Sequence, residues 1–163
     1  MAQVENDFVL LEEELRFTDD FLSIQKLRFG DAFSYTISVP AFLRQARIPP
    51  SVIKSFAENA VKYARNMSRE AKIDIRASMQ NREGETYLWL EVLDNGPGFS
   101  DEVLQVLQQK AQPFFDGRVH IGIANVRQRL ELLYAGKAEV HLENRPDGGT
   151  HVLSLIHISE PTR

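Results

Sequence analysis

The sequence predicts a two-layer α+β sandwich, and three observations carry that prediction. Helical and extended segments are partly segregated along the chain, which disfavours a parallel βαβ fold. Two pairs of alternating apolar segments surround short turn sequences and read as hairpins. The segment from about Gly96 to Gly122 has no sustained period after its first turns. A connection this long is uncommon within a compact domain unless it is functional or mobile.

The elements follow in order. Residues 8–29, "FVLLEEELRFTDDFLSIQKLRF", read as a helix, with Leu11, Leu15 and Leu22 on one apolar stripe. Leu10, Phe17, Phe21 and Ile24 mark a second stripe beside it. Such width suggests burial against more than one surface, with packing on its own domain as the plainer alternative. Gly30-Asp31 ends this helix, and "AFSYTISVP" alternates as a strand with Phe33, Tyr35, Ile37 and Val39 on one face. Pro49-Pro50 sets up the next helix, "SVIKSFAENAVKYARNMS", because proline is tolerated in a first turn. "AKIDIRASMQ" and "ETYLWLEVL" form a hairpin around "NREG". That places the hairpin turn at Asn81–Gly84, upstream of the Asp-Asn-Gly at residues 94–96. Ser100 is a good N-cap, and Asp101 and Glu102 suit a first helical turn before "VLQVLQQ". A further helix, "IANVRQRLELLYAG", stops at Gly136. "KAEVHLEN" and "GTHVLSLIHI" close the domain as a hairpin around "RPDGG". The last residues, 159–163, carry no core signal and read as a loose tail.

Composition removes several functions. The 163 residues suffice for one compact core, at most with a short appendage. With 19 basic against 23 acidic residues and no basic block, the chain suits nucleic-acid binding poorly. Cysteine is absent, which excludes disulfides, thiolate metal sites and cysteine nucleophiles. The four histidines show no HExxH or other ligand spacing, against a catalytic zinc. No apolar run approaches the roughly 20 residues of a spanning helix, and the N-terminus lacks a signal-peptide pattern. The expectation is a soluble, cytoplasmic chain.

Four stretches carry candidate chemistry. In "FAENAVKYA", Glu58, Asn59 and Lys62 are polar groups in an otherwise apolar helix, and Asn59 and Lys62 share a face. A solvated helix face explains them equally simply. In "DNGPGF", Asp94 at a strand end can offer a carboxylate to a ligand's amino group, while Gly96 and Gly98 allow a close, hinged backbone. In "HIGIANV", a glycine opens a helix whose amides could hold phosphate. In "GGTHV", glycines lead into the closing strand, and as a turn this needs no further cause.

Together, in this order and spacing, the four resemble one superfamily. The chain is similar to the catalytic ATP-binding domain of a bacterial sensor histidine kinase, within the Bergerat-fold (GHKL) ATPases. "ENAVKY" matches the N box, "DNGPGF" the G1 box, "HIGIANV" the G2 box and "GGT" the terminal glycine motif. The resemblance runs from about Val9 to Ile158, and "LEEELRFTDDFLSIQKLRFGD" and "NVRQRLELLY" are specifically like the LytS/YesM type.

The resemblance implies a mixed sheet covered on one face by helices. It also implies ATP and Mg²⁺ as cofactors, with a role for each matching residue. Asn59 would bind Mg²⁺ through its amide oxygen, and Glu58 beside it would either assist proton removal from an incoming histidine or form a surface pair. Asp94 would accept from the adenine amino group, supported by Thr150 through a bound water. Tyr63 would line the adenine pocket and Lys62 would lie near the phosphates. Gly96, Gly98 and Gly122 would flank a mobile lid, residues 96–122. Amides around Gly122, Ile123 and Asn125 would meet phosphates. Strict G2 motifs carry a glycine where His120 stands; the replacement either reduces backbone approach to the γ-phosphate or gives a donor to it, with an exposed loop histidine as the plainer reading. The N box often has Gln-Pro where Lys54-Ser55 stand.

All four histidines lie late in the chain, so a phosphoacceptor helix is expected outside it. Residues 1–30 would then end a dimerising or connecting helical region, and 31–158 would be the ATP-binding domain. The expected partners are that acceptor region, a response regulator, and a second copy of the full-length kinase. Membrane anchorage would lie in the full-length sensor. The gyrase, Hsp90 and MutL branch places a water-activating glutamate four residues before the metal-binding Asn. Here that residue is Ser55, and Glu58 sits about 100° round the helix from Asn59. Hydrolysis as the main reaction is disfavoured. A non-catalytic nucleotide-binding or interaction module is the remaining alternative.

Overall fold

The structure, a computed structural model, describes residues 8–64, 69–108 and 121–158. In chain order these form β1 (Val9–Leu10), α1 (Leu11–Phe29), β2 (Phe33–Ser38), β3 (Arg47–Ile48), α2 (Val52–Ala64), β4 (Ala71–Arg82) and β5 (Glu85–Asp94). They continue with α3 (Asp101–Gln108), α4 (Ile121–Tyr134), β6 (Ala138–Asn144) and β7 (Thr150–Ile158). Five strands make one mixed sheet in the order β2-β4-β5-β7-β6. Only β2 and β4 run parallel; the other neighbours are antiparallel. The expected two-layer α+β sandwich with an N-terminal helix is what forms.

Strand alternation decides which face is covered. Ile73, Ile75, Leu88, Leu90, Val92, Val152 and Ile156 point to one side and are buried beneath the helices in a single core. α2 packs on β5 and contacts both α1 and α4, while α3 and α4 lie over β6. The β4–β5 turn is tighter than "NREG" suggested. Arg82 pairs with Glu85, leaving Glu83 and Gly84 as central residues at φ 53 and 81. That is type I′ geometry, and Asn81 Oδ1 accepts the Gly84 N–H at 3.2 Å.

The first helix starts later than its pattern indicates. Val9 and Leu10 pair antiparallel with Ile48 and Arg47 as a two-stranded ribbon, which residues 8–10 of the sequence do not announce. The Glu13 carboxylate reaches back to the Leu10 N–H at 3.2 Å, and Leu11 N–H donates to the Ala46 carbonyl. These bonds satisfy donors that a helix start leaves unpaired. Of the two apolar stripes, Leu11, Leu15 and Leu22 are buried, whereas Phe17 and Ile24 are 62% and 56% exposed. Leu10 and Phe21 are half-buried.

α1 is also fastened to α2 by a buried carboxylate. Glu14, 3% exposed, accepts the Ser51 N–H at 2.9 Å and the Lys54 N–H at 3.0 Å. It caps the start of α2 from another helix, where a negative charge also complements the helix dipole. Glu14→Ala should cost about 1–3 kcal/mol, since it leaves those amides unpaired. Chemical denaturation would show it as a lowered midpoint, and an unchanged midpoint would contradict the cap.

Elsewhere local signals and structure agree. Ser100 Oγ accepts the Val103 N–H at 3.2 Å at the start of α3. α4 ends at Tyr134, with Ala135 and Gly136 at φ 49 and 90. Residues 65–68 of the predicted second helix, and the 159–163 tail, lie outside the described residues. No helix among the described residues is long and apolar enough to cross a membrane.

Candidate functional site

The site is built around the last residue of β5. Asp94 is 6% exposed, and its carboxylate has a fixed set of donors. Oδ1 accepts the Gly96 N–H at 2.8 Å and the Thr150 N–H at 3.3 Å. Oδ2 accepts the Thr150 hydroxyl at 2.5 Å. Thr150 thus contacts Asp94 directly, because β7 begins beside the end of β5. A carboxylate offers about four lone-pair positions, so Oδ2 retains one acceptor for an incoming N–H.

That closeness depends on Gly149. A Cβ there would stand 1.8 Å from the Asp94 carbonyl oxygen, and the residue has φ +102. Only glycine allows this backbone approach. The terminal glycine pair, which a turn alone would explain, therefore has a steric cause at the site. Arg145 Nη1 donates to the same Asp94 carbonyl at 2.9 Å. The next residue is held as firmly. Asn95 Oδ1 accepts the Lys72 N–H at 2.8 Å, and its Nδ2 donates to the Glu70 carbonyl at 2.9 Å. The "DNG" stretch is thus a strand end tied to β4 and β7.

α2 supplies the second wall. Asn59 is buried at 9% exposure, whereas Lys62, on the same face by spacing, is exposed. Glu58 is exposed and pairs with Lys54 at 3.8 Å, an i,i+4 surface contact. Glu58→Gln should therefore shift stability by less than about 0.5 kcal/mol, readable in a thermal melt. The backbone of Tyr63 belongs to α2, but its side chain lies outside the described residues.

α4 brings the third set. Gly122 is the second residue of this helix, not its opening residue, and a Cβ there would lie 3.8 Å from Ser55 Cβ. It therefore packs against α2 one turn before Asn59. Ile123 is fully buried in the core, which leaves only its backbone to meet a ligand. Asn125 is exposed. Burial of Arg127 lowers its guanidinium pKa, opposed by Glu131, and burial pushes the Tyr134 phenol up to about 12. His120 lies outside the described residues.

Asp94, Gly96 and Thr150 thus meet directly, whereas Asn59 and Gly122 are related through packed helices. Sequence reasoning missed Asn95, Arg145 and the steric role of Gly149; only the Gly-Gly pair carried a readable signal. A cavity of about 650 Å³ between α4 and β6, lined in part by Arg127, Glu131 and Val140, holds none of the predicted site residues. Among the described residues no His, Asp and Glu cluster of metal-holding size occurs. A divalent cation here would need one neutral amide, Asn59, and oxygens from a ligand.

Similar proteins fit this geometry. A model of the family of histidine kinase-, DNA gyrase B- and HSP90-like ATPases matches residues 46–160. The sensor protein LytS of Staphylococcus haemolyticus is 32% identical over 148 residues, which is 89% of this chain and 24% of that protein. The sensor histidine kinase YesM of Bacillus subtilis is 25% identical over 154 residues, 94% of this chain and 24% of that protein. The chain spans about a quarter of the length of these curated relatives. Among solved structures, the catalytic domain of the histidine kinase ThkA superposes with a TM-score of 0.68 at 16% identity. That likeness covers 93% of this chain and 94% of the ThkA domain, and it shows the fold.

Proposed function

The chain belongs to the histidine kinase-, DNA gyrase B- and HSP90-like ATPase family, and on that premise we propose that it is the ATP-binding catalytic domain of a two-component sensor histidine kinase. The observation that carries the proposal is Asp94, a buried carboxylate oriented by Gly96 and Thr150 with one acceptor position left. An adenine amino group supplies the matching donor.

The remaining roles are those expected from the sequence motifs. Asn59 offers its amide oxygen to Mg²⁺, which would neutralise phosphate charge when bound. Lys62, exposed on the same helix, supplies a flexible positive charge toward the phosphates, and Tyr63 lines the base. Backbone amides from Gly122 to Asn125 open α4, where a helix start favours phosphate. His120 joins them as a donor from the lid. Gly96 and Gly98 begin the lid and Gly122 ends it. Positioning and charge neutralisation are most of what phosphoryl transfer asks of a protein.

The phosphoacceptor is a histidine on a helix of the longer protein. The phosphate then passes to an aspartate of a response regulator. Residues 1–30 serve as the lower end of the dimerising or connecting region, and the exposed Phe17 and Ile24 of α1 meet the remainder of that region. The full-length sensor works as a homodimer on the cytoplasmic side of a membrane. Against the ATPase reading stands Ser55, which occupies the position of the water-activating glutamate and packs beside Gly122.

Mixing the chain with a supplied acceptor-helix dimer and labelled ATP tests the proposal. Label on histidine is expected. Good ATP binding without transfer would favour an interaction module instead. In the same assay Glu58→Gln should leave Mg·ATP affinity within about twofold, because an exposed i,i+4 pair contributes little. A drop in transfer at that unchanged affinity assigns Glu58 to proton removal from the incoming histidine. No drop leaves it a surface pair.

A further inference from the structure

The backbone leaving β5 is fastened by a side chain from the end of β6. Asn144 Oδ1 accepts the Phe99 N–H at 2.8 Å, and Asn144 Nδ2 donates to the Phe99 carbonyl at 2.8 Å. Exchanging the amide's oxygen and nitrogen would set donor against donor, so this pair of bonds fixes its orientation. The same Oδ1 lies 3.0 Å from where a Cβ on Gly98 would stand, and Gly98 has φ +88. The Phe99 side chain, 6% exposed, is anchored in the core. At the other end of α3, Gln108 Nε2 donates to the Leu142 carbonyl at 2.9 Å. Both ends of the 99–108 segment are therefore tied to β6.

Asn144 also has a telling neighbour. Its cross-strand partner is Thr150, which holds the Asp94 carboxylate. One rung of the β6–β7 hairpin thus orients the carboxylate on one strand and the loop leaving it on the other.

We propose that Asn144 is a positioning residue that sets the path of residues 98–108 and thereby the affinity for the phosphate half of the nucleotide. It does so without touching the base. This rests on the nucleotide-binding function proposed above, in which the segment beginning at Gly96 covers the phosphates.

Asn144→Ala and Asn144→Asp, compared with wild type, test it through titration with Mg·ATP and with adenosine, and through hydrogen exchange at the Phe99 amide. Each lost bond contributes a factor of about five. Asn144→Ala should therefore weaken Mg·ATP binding about tenfold or more and speed Phe99 exchange similarly, with adenosine affinity within about twofold. Asn144→Asp keeps the acceptor for the Phe99 N–H but sets its second oxygen against the Phe99 carbonyl, so it should recover only part of the exchange protection and of the Mg·ATP affinity. Equal weakening of Mg·ATP and adenosine would reduce Asn144 to a structural role and overturn the proposal, as would no change in either. If wild type bound neither ligand, the nucleotide reading would fail and this proposal with it. Slowed or unchanged Phe99 exchange in Asn144→Ala would overturn the clamp even where wild type binds both.

Discussion

Gly149→Ala is expected to be among the most damaging single substitutions in this domain. Its Cβ would stand 1.8 Å from the Asp94 carbonyl oxygen, so either the end of β5 or the start of β7 must move. Backbone strain at φ +102 adds to that overlap. Strain and overpacking each cost about 1–3 kcal/mol, so a total of about 3 kcal/mol or more is expected. For a domain of this size, that lowers the melting temperature by about 6–12 °C. Gly148→Ala separates the two causes. Gly148 has a similar φ of +105, but its added Cβ would meet only Arg69 Nη2, at 3.6 Å. Thermal melts should place Gly148→Ala clearly above Gly149→Ala. Coincident melts would mean that strain alone matters and that the close approach to Asp94 does not.

Asp94→Asn is expected to act on binding instead of folding. Its Oδ1 can still accept from the Gly96 and Thr150 amides, so the local backbone has reason to persist. At the Oδ2 position an NH₂ now donates to the Thr150 hydroxyl and faces any amino donor from a ligand. The remaining acceptor is lost and a donor is set against a donor. Hydrogen bonds to charged groups contribute about 1.5–3 kcal/mol, so Mg·ATP affinity should fall by about a hundredfold. Calorimetric titration beside a melting curve checks this. Unchanged affinity would remove Asp94 from the adenine site, whatever the melting curve shows.

Much of the fold was legible because its signals are local. Pro49-Pro50 before α2, Ser100 at α3, Gly136 after α4 and the turn residues at 81–84 each act within a few positions. Contacts across the chain were a different matter. Glu14 is one of three consecutive glutamates, and nothing nearby distinguishes the one that caps a helix near residue 51. The apolar width of α1 was readable, but which stripe would be buried was decided by α2 and β2. At the site, Asp94 and the terminal glycines were visible as ordered motifs. Thr150 meets Asp94 across 56 residues, so the direct bond and the steric need for Gly149 appear only when β5 and β7 pair. Asn144 gave no signal, since an asparagine at a strand end also reads as ordinary turn chemistry.

In the proposed function, the buried carboxylate at the end of β5 selects an adenine nucleotide through its amino group. Titrating the wild-type chain with Mg·ATP and with Mg·ITP, which lacks that amino group, tests it most directly. Saturable one-site binding of Mg·ATP is expected, with Mg·ITP weaker by about tenfold or more for the loss of one charge-assisted bond. Equal affinity for the two nucleotides, or no binding of Mg·ATP, would contradict it.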